Sequence, residues 1–271
     1  MTYQKAVKPL YIESVSVYGR GLPSWNESVA KLASPDDFTE EALGGIQCGF
    51  LSSSIKRRTT PHMQIAIYAA EQALQGQDAN HENIELVFAT SEGDLNIAHD
   101  ICYALTLEDK PVSPQKFQNV ILNAAAGHLG IIMKNTASAT SVTGAFNSLA
   151  VGFLQAYTTA IAEEVPVLYV AYDAPSVLAI NPDGDMMDPF SVGFLLKPYP
   201  SDKSLASLSL NIEEGEITRQ IDNELLADIS SRSSAAGSLP ILVALAKKES
   251  ANISLPYAEN QVLNIEISPC L

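Results

Sequence analysis

Only three cysteines, Cys48, Cys102 and Cys270, are spread over the 271 residues. Their odd number and wide spacing fit neither a disulfide framework nor a zinc site, and they read as buried or tail thiols. Positive charge is also short: 16 Lys and Arg face 31 Asp and Glu, for a formal charge of −15. Nucleic acids and anionic membranes draw most of their affinity from basic surface, so neither is expected as a partner. No apolar run reaches membrane-spanning length, and Met1-Thr2-Tyr3-Gln4-Lys5 opens without the apolar segment of a signal peptide; a cytoplasmic location is expected. Of four histidines, His62, His81, His99 and His128, none lies beyond residue 128. Gly127-His128-Leu129-Gly130 lacks the preceding strand and third glycine of a dinucleotide fingerprint. No cofactor and no metal are expected.

What is there suffices for a large core. Hydrophobic residues make up 46% of the chain, and no Pro/Gly/Ser-rich linker divides it, so residues 1–271 are read as a single α/β domain. Residues 11–18 alternate as a strand, and 25–32 can form a short helix. Thr60 and Pro61 start a helix with Met63, Ile67, Ala70 and Leu74 on one face. A strand over 84–90 and a helix through Leu95, Ala98, Cys102 and Leu105 follow, then two short helical pieces within 113–134. Further on, 191–197 and 205–212 look like a hairpin pair, 239–248 like a helix and 261–267 like a last strand. Asp183, Asp185 and Asp188 around Gly184 read as turn chemistry, since the other ligands of a calcium loop are missing. Ser52-Ser53-Ser54 before Lys56-Arg57-Arg58 reads as a solvated loop.

The most informative stretch runs from Ala139 to Asp173. Thr140 to Ala145 is β-branched and small, with Gly144 supplying backbone freedom before a sharp turn. Leu149, Phe153, Tyr157 and Ile161 then recur every four residues as the stripe of a packed helix, with Asn147 as candidate N-cap. Val165 to Tyr172 is short and apolar enough to be a strand covered on both faces, with Pro166 marking its first residue. A strand-to-helix corner of this kind favours an anionic nucleophile, and Phe146 has nothing to ionise.

This segment resembles the nucleophile region of β-ketoacyl synthases, with Ala145-Phe146-Asn147-Ser148 standing where that family has Ala-Cys-Ser-Ser. A rival register sets Ser138 on the cysteine, but it lengthens the connection to the next strand by about eight residues relative to the Phe146 register. Arg57-Arg58 with Thr60-Pro61-His62-Met63 is similar to the family's early region. The run from Phe117 to His128, with Asn123-Ala124-Ala125-Ala126-Gly127, resembles a short synthase-like branch associated with aryl polyene pigments. The resemblance implies a thiolase-like fold, truncated in its second half. Active synthases add two histidines from that half, together with His-Gly-Thr and Asn-Gly-Phe-Gly-Gly loops, and this sequence contains none of them.

The resemblance therefore implies no catalytic residue. The chain is expected to be a chain length factor, inert by itself, paired with an active ketosynthase subunit and meeting the acyl carrier protein only through that partner. Phe146, Phe117, Val120 and Ile121, with Cys102 behind them, are the candidates for the substrate tunnel and interface. Phe146 is also open to reading as a core aromatic. Two alternatives remain: an active acyltransferase using Ser138, Ser141 or a cysteine with His128, and a scaffold that never touches the acyl chain.

Overall fold

Alternation along the strands decides the architecture. The computed structural model describes residues 8–77, 81–176, 188–217 and 220–270. In chain order the elements are β1 (Leu10–Tyr18), α1 (Trp25–Ala33), α2 (Ser53–Lys56), α3 (Pro61–Leu74), β2 (Glu85–Ala89), α4 (Leu95–Thr106), α5 (Pro114–Asn119), α6 (Ala124–Met133), β3 (Ala139–Val142), α7 (Ser148–Glu163), β4 (Val167–Asp173), β5 (Phe190–Lys197), β6 (Ala206–Glu214), α8 (Glu224–Ser231), α9 (Leu239–Lys247), β7 (Ala251–Ala258) and β8 (Gln261–Pro269). The strands form one sheet in the order β3-β2-β4-β5-β1-β6-β8-β7. β2 runs parallel to β3 and β4, and the remaining neighbours are antiparallel.

In the first half both faces of the sheet are buried. Along β4, Val167, Tyr169 and Ala171 enter one core cluster while Leu168, Val170 and Tyr172 enter the other, and β2 divides in the same way. α7, α8 and α9 cover the first face; α3 and α6 cover the second. α3 comes unusually close because its inner face is Ala66, Ala69, Ala70 and Ala73 and the strand beneath carries Gly193. A Cβ at Gly193 would lie 2.7 Å from Ser16 Oγ and 2.8 Å from the Ala69 carbonyl. The hydroxyls of Ser16 and Ser191 donate to helix carbonyls of Ala69 (2.7 Å) and Ile65 (3.0 Å), which satisfies these buried groups.

From β6 onward the sheet is covered on one face only. Leu208, Leu210, Ile253, Leu255, Leu263, Ile265 and Ile267 enter the first cluster. The alternate residues, such as Ser209, Asn211, Asn264 and Glu266, are half-buried or exposed, and Ser209 bonds Glu266 and Asn264 bonds Glu213 across the strands. The second half is thus thinner than the first, in line with the truncated thiolase-like architecture.

The expected hairpin between 191–197 and 205–212 does not form. β1 lies between β5 and β6, antiparallel to both. The connection over 198–205 instead passes the end of β1, where the register shifts around Glu13. That carboxylate is buried, and it is matched by Lys197 Nζ (3.0 Å) and by the hydroxyls of Ser201 and Ser204. Closing this polar cluster routes β6 to the far side of β1. Asp183 and Asp185 lie outside the described residues. Asp188 accepts from Arg20 (3.3 Å) and Arg232 (3.4 Å), a structural ion pair rather than a cation loop.

Candidate functional site

The corner between β3 and α7 is built on a residue in an unfavourable conformation. β3 stops at Val142, shorter than the expected strand, and Gly144 sits at φ −152°, outside the left-handed region, although a Cβ there would lie 3.1 Å from Val151 Cγ2. The left-handed residue is Ala145, at φ +51°. For a residue with a Cβ this costs about 1 kcal/mol, so surrounding bonds must hold it. Ser148 supplies them. Its buried Oγ accepts from Gly144 N (2.8 Å) and reaches the carbonyls of Ala145 (2.7 Å) and Thr90 (3.0 Å). Asn147 stands at the N-cap of α7 but its side chain makes no capping bond; Ser148 holds the turn instead.

Beneath the corner, Asp173 joins the two halves. The carboxylate ends β4 and accepts from Ser91 N and Oγ (2.7 Å each), Thr90 Oγ1 (3.3 Å) and Ala235 N (2.8 Å). Burial pushes its pKa above the ordinary value, and these bonds hold it back in part. Nearby, Leu149 N at the start of α7 donates to Ser234 Oγ (2.8 Å). His62 Nε2 lies 3.3 Å from Thr90 Oγ1 with its ring against Tyr172, and burial drives its pKa down to about 4, so the imidazole is neutral. No local sequence pattern gives Asp173, Ser148 or Ser234 a structural role of this kind. An acid closing an otherwise apolar strand was the available signal.

Phe146 is 66% exposed, which overturns its reading as a core aromatic. It borders a cleft of about 380 Å³ with Leu149, Ile217, Gln220, Ser234 and Leu255. Phe117 and Ile121, on α5 and just after it, are 64% and 54% exposed, and Val120 is half-buried. Cys102 on α4 is exposed, not a buried thiol; Cys48 is half-buried, and burial together with Glu71 pushes its thiol up to about 12. A larger cavity of about 570 Å³ between α3, α4 and α5 is lined by His62, Gln64, Asp94, Ile97, Lys116 and Asn119, among others. None of Phe117, Val120, Ile121 and Cys102 lines it, and Phe146 lies on the other cleft. Neither of these two cavities brings the five candidates together.

The corner contains no reactive atom at Ala145 or Phe146. His128 Nε2 is 3.2 Å from Asn119 Oδ1, and burial and then Arg58 lower its pKa. Among the described residues no hydrogen bond joins His128 to Ser138, Ser141 or a cysteine.

The family model for the β-ketoacyl synthase N-terminal domain matches residues 25–259. The chain belongs to the β-ketoacyl synthase family. Its fold is the thiolase-like one. A chain in the structure of the ketosynthase ApeO with its chain length factor ApeC, from Xenorhabdus doucetiae, is similar at TM-score 0.72 and 19% identity, covering 95% of this chain and 98% of that one. The ishigamide ketosynthase/chain length factor is similar at 0.72 and 13%, covering 97% and 100%. AntDE:AntF, a type II polyketide synthase acyl-carrier protein in complex with its ketosynthase, is similar at 0.73 and 12%, with the same coverage. A search of curated proteins finds no match. Among the described residues no helix is long and apolar enough to cross a membrane.

Proposed function

We propose that this family member is a non-catalytic chain length factor. It pairs with an active β-ketoacyl-ACP synthase subunit and shapes the tunnel that sets how far a polyene or polyketide chain grows. The observation that carries this reading is the corner itself: the strained strand-to-helix turn is kept, while Ala145 and Phe146 offer no nucleophile. Two features support a partner. β3 is an edge strand of the sheet, and Tyr103, Leu105, Phe117, Ile121 and Ile131 are large apolar side chains left exposed on or beside α4, α5 and α6. Residues 1–271 act as one domain in this reading, since β6, β7 and β8 extend the sheet of β1 to β5. The charge of −15 disfavours direct docking of an acidic carrier protein, which is received by the partner.

Phe117, Val120, Ile121, Phe146 and Cys102 are proposed as tunnel or interface residues, with pocket volume rather than bond-making as their role. The test is co-expression with a ketosynthase, followed by size-exclusion chromatography and carrier-dependent condensation assays. A one-to-one complex, active only while the partner's cysteine is intact and giving longer products with Phe117→Ala, supports the reading. Turnover by this chain alone overturns it.

A further inference from the structure

β7 is the terminal strand of the sheet, and an uncovered edge offers its outward N–H and C=O groups to any strand that approaches. Ladder bonds alternate along an antiparallel strand, so residues 252, 254 and 256 turn their backbone away from β8. At the middle of these three the backbone is already paired. The side-chain amide of Gln220 donates Nε2–H to the Ser254 carbonyl at 2.6 Å, and its Oε1 accepts the Ser254 N–H at 2.8 Å. These are the two bonds that a residue of a neighbouring strand would make, supplied by one carboxamide from 34 residues away in the chain. The next outward position is Pro256, which has no N–H to give. Among the described residues no bond is made to the outward backbone of Asn252, the third of these positions.

We infer that Gln220 acts as a one-residue surrogate strand that closes the β7 edge against pairing with a second copy of this chain. Side-chain chemistry makes the residue specific. Glutamate of the same length keeps an acceptor for Ser254 N–H but has no donor for the carbonyl, and methionine of similar length has no donor and only a weak thioether acceptor. The contrast with the other end of the sheet agrees: β3 is the opposite edge, and among the described residues no side chain bridges its outer backbone in this way. The inference stands apart from the proposed function, because every contact it uses lies within this chain.

The test compares the full chain with Gln220→Met and Gln220→Glu by amide hydrogen exchange at Ser254 and by light scattering over a range of concentrations. The expected result is exchange at Ser254 at least about fivefold faster in Gln220→Met, as follows from losing one typical hydrogen bond. Gln220→Glu lies between the two, and Gln220→Met associates at lower concentration than the parent. Equal exchange at Ser254 in parent and Gln220→Met overturns the inference. So does faster exchange with no change in association. Should Gln220→Met fail to fold, Gln220→Glu carries the same comparison.

Discussion

Asp173 takes four hydrogen bonds from two separate segments, Thr90-Ser91 and Ala235, so its loss strands buried donors rather than a single contact. Asp173→Ala is expected to cost about 3 kcal/mol, read as a lower urea midpoint; a change under about 1 kcal/mol would mean that water replaces the carboxylate. His62 gives the acid response. The unfolded imidazole titrates near 6.5 and the buried one near about 4, so in that window the unfolded chain binds a proton that the folded chain refuses. Stability therefore falls as pH falls through it. Burial raises the Glu13 carboxyl, but Ser201, Ser204 and Lys197 outweigh burial and leave its pKa below 4.5. Its contribution is present above 4.5 and is lost as pH drops through the folded value. Asp173, whose carboxyl burial holds above its ordinary value, acts in the opposite sense as pH falls, so the test is a difference: between pH 7 and 4.5 the urea midpoint of the parent should fall relative to that of His62→Gln, and parallel curves contradict a neutral His62.

At the scale of elements, α7 and β4 meet through Gly152. A Cβ there would stand 2.5 Å from the Tyr169 ring and hydroxyl, whose O–H donates to Leu149 O at 2.8 Å. Alanine is favoured over glycine within a helix by about 1 kcal/mol, whereas overpacking a rigid aromatic cluster costs about 1–3 kcal/mol. With Phe153 and Phe194 packed against Tyr169, the clash should win, and Gly152→Ala should lower the thermal midpoint by several degrees. A raised midpoint would show that Tyr169 can give way. Helices α3, α4, α7 and α9 were legible because each carries a long apolar stripe. Sequence patterns do not mark α8 and β7, and Ser53–Lys56, expected as a solvated loop, is the short helix α2 with Ser52 as its N-cap. β7 alternates polar and apolar but contains Pro256, and α8 is short and rich in polar residues. The mistaken hairpin had the right strands and the wrong neighbours, because pairing depends on where Glu13 draws the connecting loop.

For the molecule as a whole, the exposed apolar side chains and the acidic surface point to different partners. Ile131 is 75% exposed, so Ile131→Asp should leave the thermal midpoint of the chain within about 2 °C, since surface changes away from special features are small. It should reduce the yield of complex with a ketosynthase at least about tenfold, because a charge is costly to bury in an apolar interface. Undiminished yield would place the interface away from α6. By itself the sequence determined the α/β class, most of the core stripes, the family and the absence of an ionisable group at Ala145 and Phe146, since these depend on residue type and local periodicity. Tertiary structure alone decided that Ala145 carries the strain, that Phe146 faces outward, and that β1 separates β5 from β6. It also decided that Asp173 and Gln220 bridge distant segments. Each of these depends on groups brought together from far apart in the chain, where burial sets the cost of an unpaired polar atom and no local pattern records which partner will meet it.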